Sequence, residues 1–206
     1  MLQPIIHGIL LSLGLILPLG AQNVFVFNQG ANHKSLIKAA PVIITASLSD
    51  TLLISLAVLG VSVVLVSFPI LQLIVYIVGL IFLLYMAWSL LHEVPANLEH
   101  FDPLSSKKQI GFALSVSLLN PHAIMDTIGV IGTNAALYSH GDKVLFSLAT
   151  IAVSWLWFIF LAVAGKMLGS IDKTGKYIII VNKLSSCIII IIAILILKNI
   201  IKIIVH

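Results

Sequence analysis

The run SLGLILPLGAQNVFVFNQG, Ser12 to Gly30, decides the fold. It is apolar enough to enter a bilayer, yet Pro18 and Gly20 interrupt it, and Gln22 and Asn23 place two amides near its middle. Pro18 has no N–H to offer the Gly14 carbonyl, so the break frees a backbone acceptor at depth. Loosened backbone is tolerated there only when protein buries it or a water-filled cavity meets it. The run therefore predicts a transmembrane helix broken at Pro18, with the break turned toward the interior of a bundle.

The rest of the chain supplies that bundle. Of 206 residues, 60% are hydrophobic and 9% charged, and a mean hydropathy of +1.19 is more than a water-soluble surface of this size accommodates. Six apolar segments follow: Ile5 to Phe27, Ala39 to Val66, Ile70 to Leu91, Ile110 to Thr133, Val144 to Leu168 and Tyr177 to Val205. Their apolar character is continuous rather than alternating, which predicts helices and not a barrel. The N-terminal MLQPIIHGILLSLG lacks the basic stretch and cleavage site of a secretory signal and reads as the start of the first span. The expected fold is all-α, an integral membrane bundle of six transmembrane helices forming a single domain over 1–206.

The longest connection, HEVPANLEHFDPLSSKK, divides the chain into a first repeat of about 1–91, a linker of 92–109 and a second repeat of 110–206. A shift of 103 positions lays Gly8, Ser12, Pro18 and Asn23 on Gly111, Ser115, Pro121 and Asp126. Halves with an odd number of spans must point oppositely through the membrane, so the expectation is an inverted repeat with helices one and four broken at Pro18 and Pro121. Lysines gather after spans one, three and five, at Lys34, Lys38, Lys107, Lys108, Lys173 and Lys176. In a plasma membrane this bias puts both termini outside.

Charge narrows the function. The formal net charge is +4, but it comes from lysines that suit anionic lipid, and nothing points to nucleic acid. Arginine is absent, so no guanidinium clamp for an anion exists. The single cysteine, Cys187, cannot form an internal disulfide and reads as a packing residue.

Two acids lie well inside the spans, Asp50 in TASLSDTLLI and Asp126 in LLNPHAIMDTIGV. A carboxylate at the bilayer centre costs about 2.5 to 3.5 kcal/mol and is kept where it lines a cavity or relay. Asp50 stands roughly 13 Å beyond Pro41 at the helical rise, near the midplane. Asn120, Pro121 and His122 precede Asp126, as Pro18 and Gly20 precede Gln22 and Asn23, which suggests one central site between spans one and four. His122 reads as a hydrogen-bond partner or pocket wall; no cluster beside it suggests a metal, and no cofactor is expected. Trp155 and Trp157, in SWLWF, either pack or wall the pocket with an aromatic face. Gly165 and Gly169 have the spacing of a helix contact.

The run LPLGAQNVFVFNQG resembles the first span of the LysE family of lysine and arginine exporters, and SDTLLI at Ser49 to Ile54 and NPHAIMDT at Asn120 to Thr127 resemble its second-span and fourth-span motifs. The resemblance covers essentially the whole chain. It implies export of a basic amino acid driven by the proton gradient, with Pro18, Gly20, Gln22, Asn23, Asp50, Asn120, Pro121 and Asp126 in matching motifs. Two positions depart from the family pattern: Ile124 replaces a frequent tyrosine, which touches selectivity, and Asn28 replaces an arginine at what reads as a loop.

The residues favour the same substrate class. Two buried acids suit a ligand with excess positive charge, while Gln22, Asn23 and freed backbone groups suit its amino and carboxylate ends. Moving that cation outward against an inside-negative potential costs about 2.3 kcal/mol per 100 mV, which exchange for one proton removes. Asp50 and Asp126 would then alternate between proton and substrate as the halves rock. Export of neutral amino acids or another small organic cation is the alternative. An intramembrane enzyme lacks a G-x-S-x-G elbow or paired metal motif, and a non-transporting scaffold would not need the acids. A homo-oligomer is compatible with the sequence.

Overall fold

The computed structural model describes residues 2–17, 20–33, 35–60, 69–91, 104–120, 124, 126–138, 140–171 and 176–205, and all regular structure among them is helical. The elements are α1 Leu2–Ile16, α2 Ala21–Asn32, α3 Leu36–Val58, α4 Pro69–Leu91 and α5 Ser106–Leu118. A π-helical segment, Asp126–Ile131, then runs into the short α6 Gly132–Ala135, followed by α7 His140–Ile171 and α8 Lys176–Val205. Where the residues are described, the apolar segments of the sequence are chiefly helical; 61–66 of the second segment lie outside the described residues.

The distribution of side chains is inverted relative to a protein in water. On α3, Leu48 and Leu52 are about half exposed while Ser47 and Ser49 are buried, and on α7 Leu156 is 67% exposed while Ser154 is 3% exposed. Such a surface is stable against hydrocarbon, and the polar interior is where intramembrane chemistry is kept. By length and composition, α3 and the Gly141–Ile171 stretch of α7 can each cross a membrane alone, and α1 with α2 makes a third span if the bent pair counts as one.

The first break is abrupt. α1 stops at Ile16, α2 starts at Ala21, and the two axes differ by 80°. Pro18 itself lies outside the described residues, as do Pro121 and His122, which follow the end of α5 at Leu118. The ends of α3 follow local rules. Ser35 caps its start by accepting from the Ile37 N–H at 3.3 Å, and Gly60, at φ +86°, carries the chain out of it.

α7 is the hub, with α1, α2 and α3 packed along it; α5 and the π-helical segment lie on α3, and α4 pairs chiefly with α8. Glycines set the closest approach. A Cβ at Gly165 or Gly169 would run into the Phe27 or Ala31 carbonyl of α2, and one at Gly30 into the Ala162 carbonyl of α7. The backbones of α2 and α7 therefore touch, as the Gly165/Gly169 spacing suggests.

This seam also corrects the sequence reading of Asn28. The polar run NQGAN does not leave the span as a loop; α2 continues through it to Asn32, and Asn28 is 3% exposed. Burial against α7 and α3 holds helical a stretch whose composition alone favours a turn.

Candidate functional site

Three elements converge on Asp50. Its Oδ1 accepts from Gln22 Nε2 of α2 at 3.1 Å, and its Oδ2 accepts from Ser154 Oγ of α7 at 2.7 Å. One residue along, Trp155 Nε1 donates to Thr51 Oγ1 at 3.1 Å, and Thr51 in turn donates to the Ser47 carbonyl at 2.7 Å. Both oxygens of the carboxylate are thus held by neutral donors, and among the described residues no cation pairs with it. A buried carboxylate so arranged is oriented but not neutralised, and a cation or a proton completes it.

The two amides after the first break have different tasks. Gln22 reaches across to Asp50, whereas Asn23 Nδ2 turns back to the Ile16 carbonyl at 2.7 Å. Ile16 ends α1, so Asn23 satisfies one of the carbonyls that the broken helix exposes. Gly20 is the N-cap of α2, and its carbonyl accepts from the Val24 N–H at 3.1 Å. The start of α2, with its outward-pointing N–H groups, thereby sits one residue from the Asp50 partner Gln22. Just after α5 ends, Asn120 is buried, and its carbonyl accepts from the Ile124 N–H at 3.1 Å. The π-helical segment that Asp126 opens packs on α3, the helix that carries Asp50; the Asp126 side chain lies outside the described residues.

Sequence reasoning thus named Asp50, Gln22 and Trp155, which the structure brings together, and missed Ser154 and Thr51. It also missed a second polar contact at the far end of α2. Gln109 Nε2 lies 2.9 Å from His33 Nε2, 3.0 Å from the Lys38 carbonyl and 2.9 Å from the Leu104 carbonyl. Burial, and then the nearby Lys38 ammonium, hold the His33 pKa below its ordinary 6.5, which favours the neutral ring.

A polar interior built across three helices under an apolar exterior defines a multi-pass membrane protein. Residues 13–199 match the model of the LysE type translocator family, and the chain belongs to that family. It is 52% identical over 191 residues to the "Putative amino-acid transporter YisU" of Bacillus subtilis (strain 168), covering 91% of this chain and 86% of that one. It is 35% identical over 181 residues to "Arginine exporter protein ArgO" of Salmonella typhi, with 85% and 84% covered. The protein of the same name in Shigella flexneri is 33% identical over 187 residues, with 88% and 87% covered. No solved structure gives a significant match. The chain is a translocator and not an enzyme.

Proposed function

We propose that the protein exports basic L-amino acids, arginine or lysine, by proton-coupled antiport with alternating access. The observation that carries this reading is Asp50: a carboxylate inside α3, gripped by neutral donors from α2 and α7 and lacking a cationic partner among the described residues. The substrate side chain supplies that cation, and the substrate carboxylate meets the N–H groups at the start of α2. Asp126, which opens the helix beyond the second break, is the second acid, and protons exchange with substrate at this pair. The relatives named as arginine exporters support the substrate class.

Six spans in two inverted three-span halves provide the two-sided access. Several features support that architecture. The shift of 103 positions relates Ser12 to Ser115, and each hydroxyl donates to the carbonyl four residues back, Gly8 at 2.6 Å and Gly111 at 2.9 Å. Exchange of the halves also relates two outer contacts: His33, after the first broken span, meets Gln109 at the start of the second, while Tyr138, after the second, meets His7 at the start of the first at 2.8 Å. The lysine bias sets both termini outside a plasma membrane.

Asp50→Asn keeps the shape and removes the charge. At matched expression in cells loaded with an arginine dipeptide, it should lower efflux at least tenfold, as should Asp126→Asn, and collapse of the proton gradient should abolish the parent activity. Parental efflux in both variants would sink the mechanism. Competition among lysine, arginine, threonine and leucine separates this reading from export of neutral amino acids.

A further inference from the structure

Beyond Asp50, α2 carries a second set of polar side chains that the proposed site does not use. Gln29, His33 and Asn28 are buried, and Asn32 is half-buried. Among the described residues, both side-chain polar atoms of Asn28, Oε1 of Gln29, Oδ1 of Asn32, Nδ1 of His33 and Oε1 of Gln109 have no hydrogen-bond partner. Each buried group left unmet forfeits its hydration without a replacement, and a buried polar cluster of this kind is ordinarily hydrated.

Helical spacing gives the cluster an address. Gln22, Phe25, Gln29 and Asn32 recur at intervals of three and four residues and share one face of α2. The face begins at the Asp50 partner and ends about 16 Å away, beside His33. There it meets Gln109, the Lys38 carbonyl and the first turns of α3 and α5, where Lys38, Lys107 and Lys108 are exposed. Between the two polar ends stands an aromatic pair. Phe25, one turn from Gln22 and one from Gln29, packs on Phe112 of α5 with ring centroids 4.4 Å apart. Phe112 in turn is one turn from Gln109, so from the His33 end both helices read polar and then aromatic.

We propose that the Gln29, Asn32, His33 and Gln109 cluster is a hydrated vestibule on the lysine-rich side, which admits the transported amino acid, and that the Phe25–Phe112 pair closes it from Asp50. The vestibule is uncharged and offers both donors and acceptors, which suits water and the zwitterionic end of a solute while leaving the side-chain cation for Asp50. The identity of the solute rests on the export reading; the hydration and the closure do not.

The test is thiol accessibility, because a thiol reacts as thiolate only where water reaches it. Cys187 is exposed and is first replaced by serine. In that background, a membrane-impermeant maleimide applied to the lysine-rich face of oriented vesicles should label Gln29→Cys and Asn32→Cys at least tenfold faster than Val26→Cys, which lies fully buried on the same helix. Labelling of Gln22→Cys from that face should be slow, and should rise at least tenfold when Phe25→Ala, or the volume-sparing Phe112→Leu, is added. Equal rates at Gln29→Cys and Val26→Cys would show the cluster to be sealed helix packing and overturn the vestibule. A Gln22→Cys rate unmoved by both aromatic substitutions would overturn the closure. Neither result depends on transport, so failure here is distinct from parental efflux in Asp50→Asn, which strikes the export mechanism.

Discussion

Gly165→Ala tests whether α2 and α7 are truly in backbone contact. The added Cβ would lie against three backbone atoms at once: the Phe27 carbonyl oxygen, the Phe27 carbonyl carbon at 3.0 Å and the Ala31 nitrogen at 3.1 Å. Ordinary contact begins at 3.4 Å, and none of these atoms can rotate away. The helices must separate by on the order of 1 Å, enough to forfeit a quarter to a half of the dispersion along the seam. Overpacking of this kind costs about 1–3 kcal/mol, roughly a factor of 5 to 150 in the folded ratio. Gly111→Ala is the matched comparison, because a Cβ there meets nothing within 4 Å. Relief of glycine backbone freedom inside α5 should make it neutral or stabilising by about 0.5–1 kcal/mol. Thermal unfolding of the purified protein in one detergent should therefore lower the Tm of Gly165→Ala and hold or raise that of Gly111→Ala. Equal midpoints for Gly165→Ala and the parent would refute the close approach.

Ser154→Ala removes one of the two donors to Asp50 and should reduce arginine efflux severalfold, less than Asp50→Asn does, in line with about 1 kcal/mol net for a single hydrogen bond; parental efflux would detach Ser154 from the site. Gln109→Leu unties His33 from the start of α3 and the segment before α5, and should lower the thermal midpoint by a cost of about 1–3 kcal/mol, with an unchanged midpoint counting against the contact. The His33 pKa is depressed in the fold, so its contribution is intact above 6.5 and is lost as pH falls below that value and the unfolded chain binds the extra proton. Thermal midpoints from about pH 7.5 to about pH 5 should fall less steeply in His33→Gln than in the parent, and parallel slopes would contradict this.

How much of this was legible depends on how each residue announces itself. Pro18 and Gly20 declared the first break because neither continues a helix in lipid without consequence, and Asp50 declared itself by the cost of burying a charge. Ser154 gave no such signal: a serine inside a span is inexpensive, and only the fold shows that it faces a carboxylate 104 positions away. His33 and Gln109 were silent for the same reason, since their meeting joins chain segments 76 positions apart. Asn28 misled outright. Its neighbours have the composition of a loop, and tertiary burial against α7 outweighed that local preference. Asn23 was legible as a polar group at the break, but its bond to the Ile16 carbonyl shows one of its hydrogens spent on closing α1.

The pairing of α4 with α8 bears on how such a molecule changes shape. Ser186 Oγ of α8 donates to the Ala87 carbonyl of α4 at 2.8 Å inside their interface, while their contacts with α2, α5 and α7 are slight. The glycine seam, by contrast, packs a helix from before the linker against one from after it. A change of shape must therefore carry α2 and α7 together or slide one along the other, and a side chain added anywhere on that seam is felt on both sides of the linker at once.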